Sequence, residues 1–214
     1  MDNKVLNITG GDYFNNYILQ KTDTPSVAFC EVMMDGNSVS DIYSEDFINL
    51  RSQELNVSKT EYISKMSVYK ALNEDHFCEL HLWFGKDTFC QMNLLTLLAY
   101  LEQIGFSGKV ILNYIDDETF ETIEQDIDVK LGIYKNLYTN ILIHRQIPDK
   151  TGVLIDKAIN LYFDYHSDTG TLSQLVRNNA GMKKIPLISL LLENSKEYGL
   201  SDLQAEKLIK SIYG

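Results

Sequence analysis

Four carboxylates stand where apolar runs of this 214-residue chain end, and they are the first residues to consider for chemistry: Asp12, Glu31, Asp87 and Asp116. Carboxylates converging on one crevice can hold Mg²⁺ against a phosphate or accept a proton, and they can equally be solvated rim charges. Around them lie Gly10, Gly11, Asp35, Gly85, Lys86, Gln91, Asn113 and Asp117. Gly10-Gly11-Asp12 reads in two ways. It is a turn with an N-cap, or a helix N-terminus that meets an anionic ligand through glycine. It matches neither G-x-G-x-x-G nor a P-loop. Gln91 and Asp87 serve either a capping box or a ligand. Arg51, from a less regular stretch, is a candidate anion clamp, and Lys86 and Gln91 would orient a polar ligand.

Other chemistries find less support. The four histidines are scattered: His76 and His81 lie five apart across a strand start, His144 neighbours Arg145, and His166 sits near the end. None makes a metal-ligand spacing. No G-x-S-x-G occurs, and Cys90 has no evident histidine partner. Cys30, Cys78 and Cys90 fit no zinc or redox motif. Each lies in an apolar run and is read as a buried free thiol in a reducing compartment. No cofactor and no metal is named by these residues.

The elements that would position the candidates follow from periodicity. Val5–Thr9 predicts a strand, and Tyr13, Phe14, Tyr17 and Ile18 a helix after it. Ser26–Val32 predicts a second, buried strand, with one helix within Ser44–Leu55. A capping box at Ser58 and Glu61 opens a helix striped by Tyr62, Met66, Tyr69 and Leu72. Cys78–Phe84 predicts a third strand. Thr88 and Gln91, a second capping box, open a Leu-rich helix to Ile104 that Gly105 stops. Lys109–Ile115 predicts a fourth strand and Thr119–Gln125 a short helix. Apolar strands alternating with helices predict a mostly parallel, Rossmann-like α/β sheet with helices on both faces over residues 1–148. Ligands of such sheets bind beyond the carboxyl ends of the strands.

Residues 149–214 read as a small all-helical part: Val153–Tyr165, a short helix capped by Thr171 and Gln174, Ile185–Glu197 closed by Tyr198-Gly199, and Asp202–Ile212 capped by Ser201 and Gln204. Beyond residue 150 seven acids meet seven bases, so the net charge of −11 lies in the first 150 residues. That acidity argues against duplex DNA and against an anionic membrane. No run reaches the roughly 18–20 apolar residues of a membrane helix, and no apolar leader follows Met-Asp-Asn-Lys, so a soluble, cytoplasmic protein is expected.

The stretch LHLWFGKDTFCQMNLLTLLAYL, with Trp83-Phe84, Asp87, Gln91 and Leu94-Leu95, resembles the signature of the bacterial family known as domain of unknown function 1835, and VLNITGGD resembles that family's first strand. The resemblance covers roughly residues 4–120. Cys90 stands where the family often has an acid, and Gly10-Gly11-Asp12 where it often has Asn-Gly-Asp. The resemblance implies a Rossmann-like domain followed by helices, and marks Asp12, Asp87 and Gln91 as signature positions. It implies no reaction.

Two functions remain open. One is a small-molecule or nucleotide-binding α/β domain, extending to a metal-assisted phosphoryl-transfer or hydrolytic enzyme, with Gly10, Gly11, Asp12, Glu31, Arg51, Asp87 and Gln91 as site residues. The other is a transcriptional regulator or interaction protein working through its helical part, where Leu187, Leu190, Leu191 and Leu208 would serve a homodimer.

Overall fold

The structure is a computed structural model that describes residues 4–148 and 155–213. The chain divides into an α/β unit, residues up to 86 with 90–148, and a helical unit, the residues after 148 joined by Asp87–Phe89.

In the α/β unit, strand β1 (Val5–Thr9) lies between β2 (Ser26–Ala28) and β3 (Glu79–Phe84), followed by β4 (Lys109–Ile115) and β5 (Thr122–Asp128). The first four are mutually parallel and β5 is antiparallel to β4. The mostly parallel α/β sheet expected from the alternation is therefore present. From β1 the chain crosses to β2 on one side, whereas β2 to β3 and β3 to β4 run the other way. Crossovers of parallel strands are right-handed, so α1 (Asp12–Leu19) covers one face. The other face takes α2 (Glu45–Glu54), α3 (Lys59–Lys65), α4 (Ser67–Glu74) and α5 (Thr88–Gln103).

The two faces are unequally covered. Leu80, Leu82 and Phe84 of β3 are fully buried beneath the four-helix face, where every residue of α5 from Gln91 to Leu101 is buried. On the opposite face α1, only eight residues long, packs Phe14 and Ile18 against Ile115, beside Trp83 and Phe120. Glu79 and His81 stay half-buried there, paired with each other at 2.6 Å.

Four local expectations change. The strand expected over Ser26–Val32 ends at Ala28, because β1 gives way to Gly10-Gly11 and offers no ladder to later residues; Phe29 makes the last bond, to the Thr9 carbonyl at 2.8 Å. Thr119–Gln125 is not a helix. Asp116 accepts from the Glu118 and Thr119 N–H groups at 3.1 and 2.8 Å, which turns the chain so that β5 pairs back onto β4. Its charged, exposed residues suit an edge strand. The helix opened by Ser58 breaks at Met66 into α3 and α4, although its stripe Tyr62, Met66, Tyr69 and Leu72 is buried as expected. Cys78 is exposed rather than buried, because β3 begins one residue after it.

After β5, α6 (Tyr134–Tyr138) continues into one π-helical turn, Thr139–Ile143. The helical unit then contains α7 (Asp156–Tyr165), α8 (Thr171–Asn178), α9 (Lys184–Asn194) and α10 (Asp202–Tyr213). Val153 and Leu154, expected in the first of these, lie outside the described residues. Ser201 and Gln204 form the predicted reciprocal capping box at 3.1 and 3.4 Å. The box expected from Thr171 and Gln174 is absent: Asp164 takes the Thr171 N–H at 3.0 Å. Gly170 passes so close to the Asp164 carbonyl that a Cβ would stand 1.8 Å from its oxygen. Leu187, Leu191 and Leu208 are buried and Leu190 is half-buried, while Ile185 and Leu203 are each 77% exposed.

Candidate functional site

The reversal of crossover direction at β1 opens a crevice beyond the carboxyl end of that strand. The chain leaves β1 through Gly10, whose N–H donates to the Trp83 carbonyl at 2.8 Å. A Cβ there would lie 3.1 Å from the Phe84 ring, so glycine lets the turn sit against β3. Gly11 is extended and open to its surroundings, and α1 begins after it. Asp12 is exposed at that point.

Asp12 faces Cys30. The Asp12 carboxylate raises the pKa of this thiol, while Lys65 exerts a weaker, opposite pull. Burial first, then the Asp12 charge and hydrogen bond, push the thiol pKa up to about 12. Cys30 is thus a protonated neighbour of Asp12 and not a thiolate nucleophile.

Beside this point lies a cavity of about 310 Å³ lined by Asp12 and Asn15 of α1, Ser26 and Ala28 of β2, and Ser64 and Lys65 at the end of α3. In its wall the Ser26 hydroxyl donates to Asn15 Oδ1 at 2.6 Å. Since α1 and α3 cover opposite faces of the sheet, a space touching both runs along the outer edge of β2. Sequence reasoning found only Asp12 of this lining. Ser64 and Lys65 enter it because the helix breaks at Met66, which the apolar stripe does not announce.

The other candidates are placed elsewhere. Glu31 and Arg51 are completely buried and paired at 2.9 Å. Arg51 Nε also faces Glu31, Nη1 donates to the Asp35 and Asn37 carbonyls, both at 3.0 Å, and Nη2 donates to Val32 O at 3.0 Å. Glu31 accepts in addition from the Tyr62 hydroxyl and the Val32 N–H. Burial disfavours the guanidinium charge, but Glu31 outweighs it and holds Arg51 above its ordinary pKa. The Tyr62 hydroxyl is driven far up by burial and then by the Glu31 charge. An anion clamp needs free donors, and Arg51 has spent all of its own. The pair fastens the 31–37 segment to α2.

Gln91 is neither a capping-box partner nor a cleft residue. It is buried, donates to Gly85 O at 2.6 Å and accepts from the Tyr114 hydroxyl at 3.3 Å, bracing the turn between β3 and α5. Thr88, its expected partner, instead bonds Glu197 O through both its N–H and its hydroxyl, at 2.9 and 3.0 Å. Asp87 belongs to the helical unit, where its carboxylate packs against Gly199, leaving no room for a Cβ there. Lys86 pairs with Glu124 at 2.9 Å and lies over the Tyr114 ring. Asp116 is held below the usual carboxylate range, chiefly by the Thr119 N–H and hydroxyl. Of the seven sequence candidates, only Gly10, Gly11 and Asp12 therefore remain together at the crevice.

No protein-family model matches the chain, and no curated protein or solved structure shows significant similarity to it.

Proposed function

We propose that the α/β unit binds a small polar molecule in the cavity beside β2, with Asp12, Asn15 and Lys65 as its polar contacts. The observation that carries this reading is the cavity itself: about 310 Å³ of space, walled mainly by polar groups, along the outer edge of β2 beside the start of α1. That volume is at the lower end of ligand sites, about 300–1,000 Å³. The cavity itself lacks the converging carboxylates of a Mg²⁺–phosphate site. Of Asp12, Glu31, Asp87 and Asp116 only Asp12 lines the cavity, and the oxygens of Glu31 are taken by Arg51, Tyr62 and the Val32 N–H. The proposal is of binding, with no reaction attached. The resemblance to domain of unknown function 1835 remains a proposal about ancestry and contributes nothing to the choice of ligand.

A thermal-shift panel of amino acids, dipeptides, nucleosides and their phosphates tests it. A compound present at about 100 times its Kd adds about 2.7 kcal/mol to stability. Asp12→Asn and Lys65→Ala change exposed side chains and should leave the unliganded protein within about 0.5 kcal/mol of the parent, while weakening the response. A panel without any response, or a response the two variants leave intact, refutes the cavity as the site.

A further inference from the structure

All three residues of β2 line the cavity. In a parallel ladder the N–H and C=O of one residue point to one neighbouring strand, and those of the next residue point to the other side. Asn7 donates to the Pro25 carbonyl at 2.9 Å and Phe29 to the Thr9 carbonyl at 2.8 Å. The register places Asn7 opposite Ser26 and Thr9 opposite Ala28. Val27 therefore spends its N–H and C=O on β1. The N–H and C=O of Ser26 and Ala28 point outward, along the wall of the cavity. Among the described residues none pairs with these four groups. Ala28 is nonetheless only 7% exposed. Buried backbone polar groups are almost always paired, and in an edge strand beside a cavity the partner is water or a ligand held in the cavity.

We infer that, given the ligand-binding reading above, the cavity takes a small molecule bearing an amide edge, a C=O beside an N–H, that pairs with β2 as a neighbouring strand would. The ligand C=O accepts from the Ala28 N–H and the ligand N–H donates to the Ser26 C=O, the two groups that flank Val27 on the open side. Lys65 stands in the same lining to meet an anionic substituent, and Asp12 a cationic one. The lactam edge of a nucleobase carries this chemistry, as do the N–H and C=O of a single extended residue of a peptide; the C=O and N–H of one trans peptide bond point in opposite directions.

The experiment titrates alanyl-alanine and uridine, and the analogue of each methylated at its amide nitrogen, into the full-length ¹⁵N-labelled chain while backbone amide shifts are followed. The expected result is a shift of the Ala28 amide with one parent compound, together with about tenfold or greater loss of affinity on methylation. Methylation removes the ligand's donor and leaves the Ser26 carbonyl unpaired. Which pair responds identifies the source. Shifts at Asp12, Asn15 and Lys65 without a shift at Ala28, and with methylation tolerated, overturn the amide edge and leave the cavity standing as a site. No shift at any lining residue from either parent also overturns it. The cavity reading falls as well only if compounds lacking an amide edge are silent in the thermal panel.

Discussion

Arg51→Met is the most informative perturbation of the α/β unit. It removes a guanidinium that is 0% exposed and keeps much of its volume and its apolar stem. Left behind are the Glu31 carboxylate, also 0% exposed as a side chain, and the carbonyls of Val32, Asp35 and Asn37, each having lost a donor at 3.0 Å. Breaking one side of a buried pair costs about 3–5 kcal/mol, a large share of the roughly 5–15 kcal/mol that holds a domain folded. For a chain of this size that lowers Tm by roughly 6–20 °C. Arg51→Met with Glu31→Gln removes the stranded charge and should recover part of the loss, so the double variant is more stable than Arg51→Met alone. Urea unfolding followed by fluorescence of Trp83, the single tryptophan and a residue of β3, reports on this unit. A loss under about 1 kcal/mol, or a double variant weaker than Arg51→Met, would refute the reading of the pair as the fastener of the 31–37 segment.

Two further outcomes follow from the same geometry. Gln91→Ala strands the Gly85 carbonyl and the Tyr114 hydroxyl. It should cost about 1–3 kcal/mol in urea unfolding and leave the affinity of any cavity ligand unchanged; a selective loss of binding would return Gln91 to the site. With its pKa pushed up to about 12, the Cys30 thiol is about one part in ten thousand thiolate at pH 8. Iodoacetamide followed by mass spectrometry should modify exposed Cys78 well before Cys30, whereas equal rates would contradict the thiol's contact with Asp12.

What the sequence determined by itself was local. Apolar runs and their alternation with helices were enough for β1, β3, β4 and α5, and the Ser44–Leu55 interval contained α2 almost to the residue. Gly105 stopped α5 with φ +67, and Ser201 with Gln204 formed the box their spacing announced. These features depend on neighbours a few residues away, which periodicity and capping rules describe. The mostly parallel sheet followed from the same alternation, and of the residues expected at its strand ends Asp12 lines the cavity beside β2. Tertiary structure decided the rest, because each remaining choice depended on a partner distant in sequence. β5 is a strand because β4 offers an edge, not because Thr-Ile-Glu-Gln-Asp favours one. Glu31 and Arg51, twenty residues apart, read as two exposed charges until folding buried both and paired each with the other. Gln91 looked like a cap or a ligand group until a carbonyl six residues back took its amide. The cavity beside β2 exists only where α1, the strand edge and the break at Met66 meet, and no short stretch of the chain carries a trace of that meeting.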